Sequence, residues 1–136
     1  MRLNIRAVLL GASVDLAGSS FFGSILALPW WYWLLSTGVP QTQLYPTLLS
    51  SPAFLLVSGV IGLGFSFLGG YVAASFARER FCLHGAASAI PCVITGAFEV
   101  LSPFGTIFPG WLLWGGKLGA VLFAFLGGRY AKRRYV

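Results

Sequence analysis

Charged side chains are scarce in this sequence. Only 9% of its 136 residues are Asp, Glu, Lys or Arg, whereas soluble domains carry about 25%. Acids are scarcest: Asp15, Glu79 and Glu99 are the only three. So little charge excludes a soluble globular domain. With 57% hydrophobic and 16% aromatic residues, the chain belongs among integral membrane proteins. Histidine occurs once, at His84, and cysteine twice, at Cys82 and Cys92. One His with no second ligand at metal spacing carries no metal site. Ten residues of helix hold the two thiols roughly 15 Å apart, too far for a disulfide. Both read as small apolar residues. Nucleophile–base pairings, phosphate loops and cofactor motifs are missing too. The chain reads as non-enzymatic, with no metal and no cofactor.

What charge there is has one dominant sign, nine Lys and Arg for a net +6. Eight of them sit beside apolar segments: Arg2, Arg6, Arg78, Arg80, Arg129, Lys132, Arg133 and Arg134. That is the positive-inside pattern of a membrane protein and not a nucleic-acid surface. Lys117 is the exception.

Four apolar segments follow, at about 6–29, 53–77, 81–101 and 110–130. Each has roughly the 20 residues needed to cross a hydrocarbon core about 30 Å thick. The expected fold is an all-α membrane protein, four transmembrane helices in one up-down bundle. The first segment also has the basic start and small-residue end of a secretory signal. Its length and Asp15 favour a retained helix. Residues 34–52 carry Pro40, Pro46 and Pro52 and read as a long exported loop, with LYPTLLSS lying along the interface or dipping into it as the alternative. The 78–80 turn is a tight hairpin junction leading to His84 and Gly85. Pro91 should kink the third helix, with Ser88 and Thr95 placed to satisfy freed backbone groups.

Orientation follows from charge. Four crossings put the N-terminus, the 78–80 turn and the C-terminus on one side, with Trp30, Trp31, Trp33, Trp111 and Trp114 at the other. Both termini are therefore expected in the cytoplasm of a bacterial inner membrane. Arg129, Lys132, Arg133 and Arg134 lie at headgroup depth, where basic residues attract anionic lipid.

Small residues recur at every fourth position: Gly11, Asp15, Ser19 and Gly23 in the first segment, and Ser58, Gly62, Ser66, Gly70 and Ala74 in the second. The fourth carries Gly116, Ala120, Ala124 and Gly128. Such rows let helices approach backbone to backbone, which drives association in lipid. Each row drifts about 40° per step, so a row serves either one right-handed crossing or two neighbours in turn. FSFLGG at 65–70 returns as FAFLGG at 123–128, a shift of 58, and GAS at 11–13 returns in GAAS at 85–88, a shift of 74. These matches suggest two parallel helical-hairpin repeats.

Besides Arg6 and Arg129 at the segment ends, three charged residues fall inside the apolar segments. Asp15 lies roughly 14 Å past Arg6, Lys117 roughly 18 Å before Arg129, and Glu99 roughly 28 Å past Arg80, at 1.5 Å per residue. Buried charge at mid-depth costs about 2.5–3.5 kcal/mol, so each should face protein or water. Depth favours an Asp15–Lys117 ion pair, which a simple ring of four helices permits.

The stretch GGYVAASFARERFCLHGAAS (69–88) resembles a group of small, uncharacterised bacterial four-helix membrane proteins of the YrzE-like kind. Gly69, Gly70, Ala73, Arg78, His84 and Gly85 carry the likeness. It implies a four-helix integral membrane protein and no particular activity. Asp15, Gly18, Ser19 and Ser20 also resemble the first helix of small multidrug transporters, which implies transport.

The first expectation is thus a packing or accessory subunit, in a homo-oligomer or with other membrane subunits. The rival is a small proton- or cation-coupled transporter or channel using Asp15. A watery path to Asp15 favours transport; a dry Asp15–Lys117 contact and an exposed apolar groove favour assembly.

Overall fold

The structure, a computed structural model, describes residues 3–101 and 110–135, without the side chains at 99–101 and 111–113. Among these residues all regular structure is helical: α1 Ile5–Ser36, α2 Gln41–Ser50, α3 Pro52–Ala77, α4 Phe81–Ser88, α5 Ile90–Leu101 and α6 Gly110–Tyr135. Three stretches are long and apolar enough to cross a bilayer: Ile5–Ser36, Pro52–Ala77 and Phe81–Phe98. α6 matches α3 in length, at 26 residues each. The turn expected after the third segment falls within 102–109, outside the described residues, as do the side chains of Glu99 and Trp111.

α1 starts at Asn4, whose side-chain Oδ1 accepts from the Ala7 N–H at 3.3 Å and so satisfies one orphan donor. It was expected to stop at Pro29 but continues to Ser36, with Pro29 inside it. Proline removes one backbone bond, and packing outweighs that loss. Leu34 is buried against Leu44, Leu48 and Phe54, and Trp30 stacks edge-on to Phe54 with ring centroids 5.8 Å apart. The tryptophan-rich segment is therefore the last part of α1.

The expected loop over 34–52 also contains a helix. Gly38, at φ +84, lets the chain reverse after α1, because that conformation costs glycine no β-carbon clash. α2 then buries Leu44, Leu48 and Leu49 on one face. Pro40 and Pro52 mark helix starts, where a missing N–H costs nothing. Pro46 lies inside α2. Reading all three prolines as breakers hid this helix.

At the other end α3 stops on Arg78 and α4 begins after Arg80, both in left-handed conformation at φ 53 and 43. The expected kink at Pro91 is a break: α4 ends at Ser88 and α5 begins at Ile90. The Ala89 N–H bonds to the Ala86 and Ala87 carbonyls. Ser88 Oγ donates to the Gly85 carbonyl at 2.7 Å, and Thr95 Oγ1 to that of Cys92 at 3.0 Å.

The helices close tightly at the basic end, where Arg78, Arg80 and Lys132 lie. A β-carbon on Gly11 would overlap the Gly69 carbonyl, and one on Gly70 would overlap Ala124. One on Gly127 would strike Phe67, and one on Gly128 would strike Phe81. Glycine is needed at these four points because backbones meet there. α3 lies between α1 and α6, which make no contact among the described residues. The small row of α3 serves both neighbours: Ser66 turns to Asp15 of α1 and Gly70 to Ala124 of α6.

Candidate functional site

Toward the tryptophan end the same rows come apart. β-Carbons on Gly23, Gly59, Gly62, Gly64, Gly115 and Gly116 would meet nothing within 4 Å. Ser66, Gly70 and Ala74 are buried on α3, as are Ala120, Ala124 and Gly128 on α6. Ser58, Gly62 and Gly116 instead line open space. The bundle is welded at one end and splayed at the other.

The splay makes a cavity of about 330 Å³, lined by Asp15 and Ser19 of α1, Gly62 and Ser66 of α3, Cys92 of α5, and Gly116 and Ala120 of α6 among others. A second space of about 680 Å³ between α1, α2 and α3 shares Ser19 with it. Ser58 lines that second space and has a buried hydroxyl oxygen with no hydrogen-bond partner among the described residues.

Asp15 stands at the closed end of the first cavity and is 3% exposed. The Ser66 Oγ lies 3.1 Å from each carboxylate oxygen and donates its one proton between them. Ser19 Oγ donates to the Asp15 backbone carbonyl at 2.6 Å, fixing the turn that carries the acid. Gly69 stacks on the Asp15 backbone, and Phe65 fills the space beside Gly18, so the carboxylate faces α3 and the cavity. No cation holds it among the described residues, where its side chain is partnered by Ser66 alone.

The Asp15–Lys117 pair expected from depth does not form. α3 intervenes between their helices, so the ring that would have made α1 and α6 neighbours is not the arrangement present. Lys117 is 9% exposed and lies across Gly96 of α5, where a β-carbon would overlap its Cε and Nζ. Gly96 is three residues before Glu99, whose side chain lies outside the described residues.

His84 is fully buried at the basic end. Its Nε2 accepts from the Asn4 N–H at 3.0 Å, while Nδ1 lies 3.4 Å from the Arg80 carbonyl. A neutral ring with its proton on Nδ1 satisfies both contacts. It ties the start of α1 to the 78–80 turn. Gly85 beside it packs on Ala124 and Gly128.

Sequence reasoning singled out Asp15 but missed Ser66 as its partner, although Ser66 stood in the small row. Cys92 was read only as a buried apolar residue, yet it lines the cavity. Comparison with protein-family models, curated proteins and solved structures finds no match to this chain.

Proposed function

We propose that this chain is a non-enzymatic, multi-pass protein of a bacterial inner membrane that takes up a proton or a small monovalent cation at Asp15. In this reading α1, α3, α4 with α5, and α6 are four crossings, and both termini lie in the cytoplasm. The tryptophan end then faces the exported side. The pairs Gly69/Gly70 and Gly127/Gly128, each turning to two different neighbours, support an origin from two parallel hairpins.

The observation that carries the proposal is a cavity ending on a buried carboxylate whose described side-chain partner is a hydroxyl. A bare carboxylate at that depth is costly, and a proton or cation relieves the cost. Carboxylate, hydroxyl and carbonyl oxygens suit hard cations. The test is flux into proteoliposomes loaded with pH- and cation-sensitive dyes. Wild type should carry Asp15-dependent flux, and Asp15→Asn should reduce it to the level of empty vesicles. Equal flux in the two proteins would refute the proposal.

A second reading, the packing or accessory subunit, is favoured by the six glycines that leave open space at the splayed end. Small residues facing nothing are suited to receiving another helix. It predicts a stable companion, either a second copy or another membrane subunit, that crosslinks to Gly62 or Gly116 replaced by cysteine.

A further inference from the structure

The basic end holds a feature that uptake at Asp15 does not use. Gly128 of α6 packs against the Phe81 carbonyl and Cys82 Cα at the start of α4. That weld sets two residues on the walls of one cavity of about 480 Å³: Arg80, just before Phe81, and Lys132, one turn past Gly128. Phe81, Cys82 and Leu83 line the rest. Two exposed cations thus share one cavity, and neither has an acidic partner among the described residues. Glu79, next to Arg80, forms no ion pair with either. Arg80 keeps a left-handed backbone, φ 43, which glycine would adopt without strain.

We propose that this cavity binds the headgroup of an anionic phospholipid, with Arg80 and Lys132 clamping its phosphate. A guanidinium fork and an ammonium point charge are the pair that phosphate oxygens accept. The walls decide between a lipid and a free ion. Leu83, one of the lining residues, is exposed and apolar. The charged pocket is therefore flanked by surface suited to acyl chains. Among the described residues, no other cation of the basic rim lines this cavity. Arg134 donates to the Tyr71 hydroxyl at 3.3 Å, and Arg133 stands exposed on the last turn of α6.

Native mass spectrometry of the full chain, released from nanodiscs of equimolar phosphatidylglycerol and phosphatidylcholine, tests the proposal. Wild type should retain one phosphatidylglycerol. The Arg80→Gln/Lys132→Gln variant should lose it at least tenfold. Arg129→Gln/Arg133→Gln removes the same charge outside the cavity and should retain it. Lys132→Gln alone, on an exposed position, should give an intermediate loss without disturbing the turn. Equal loss from both double variants would overturn the proposal in favour of diffuse rim attraction. Retention of phosphatidylcholine to the same extent, or displacement of the lipid by millimolar inorganic phosphate, would also overturn it.

Discussion

Gly70 on α3 meets Ala124 on α6 so closely that a β-carbon on the glycine would overlap the alanine's backbone. Eight residues earlier in the same row, Gly62 meets nothing within 4 Å. One row thus serves two purposes: it welds the basic end and lines a cavity at the other.

Substitutions along that row should therefore diverge. Gly70→Ala has no flexible side chain to push aside and should destabilise the protein by about 1–3 kcal/mol, the usual cost of overpacking. Gly62→Ala should stay within about 0.5 kcal/mol of wild type. Thermal unfolding in detergent, read by loss of helical circular dichroism, measures both.

Ser66→Ala removes the hydroxyl that donates to Asp15 without changing the cavity's shape. A hydrogen bond to a charged group contributes about 1.5–3 kcal/mol. Flux in proteoliposomes should fall about tenfold or more, and Ser66→Thr should restore part of it.

Lys117 is a buried ammonium with no partner among the described residues. An unpaired buried charge is a liability that a similar apolar side chain removes. Lys117→Met should raise the midpoint of thermal unfolding. A fall would mean that an acid holds the ammonium, and repeating the measurement on Glu99→Gln would identify it.

His84→Ala leaves the Asn4 N–H and the Arg80 carbonyl without the ring they share. Losing a buried hydrogen-bond partner costs about 1–3 kcal/mol. Amide exchange over residues 4–8 should accelerate, while exchange in α6 stays slow.

The helical character, and the length and apolarity that suit three stretches to crossing a membrane, were legible because composition and apolar length are properties of the chain alone. Asp15 was legible for the same reason: an acid in an apolar run stands out wherever the helix packs. Helix α2 was not, because its one apolar face depends on α1 extending past Pro29 to meet it. The expected Asp15–Lys117 pair failed on a different point. Depth along each helix can be read from residue count, but neighbour relations cannot, and α3 took the place between α1 and α6. Ser66 was recognised as small and overlooked as a donor, since a serine in a glycine row reads first as a spacer.

In the proposed function, water and cations reach Asp15 from the tryptophan end. Thiol labelling can follow that path, with Gly62→Cys and Gly116→Cys each introduced after Cys82 and Cys92 are replaced by serine. Membrane-impermeant methanethiosulfonates added from the exported side should modify both cysteines, the cationic reagent at least tenfold faster than the anionic one. Asp15→Asn should erase that preference. Protection of both cysteines from the two reagents, or a charge preference that survives Asp15→Asn, would rule out an open path to Asp15.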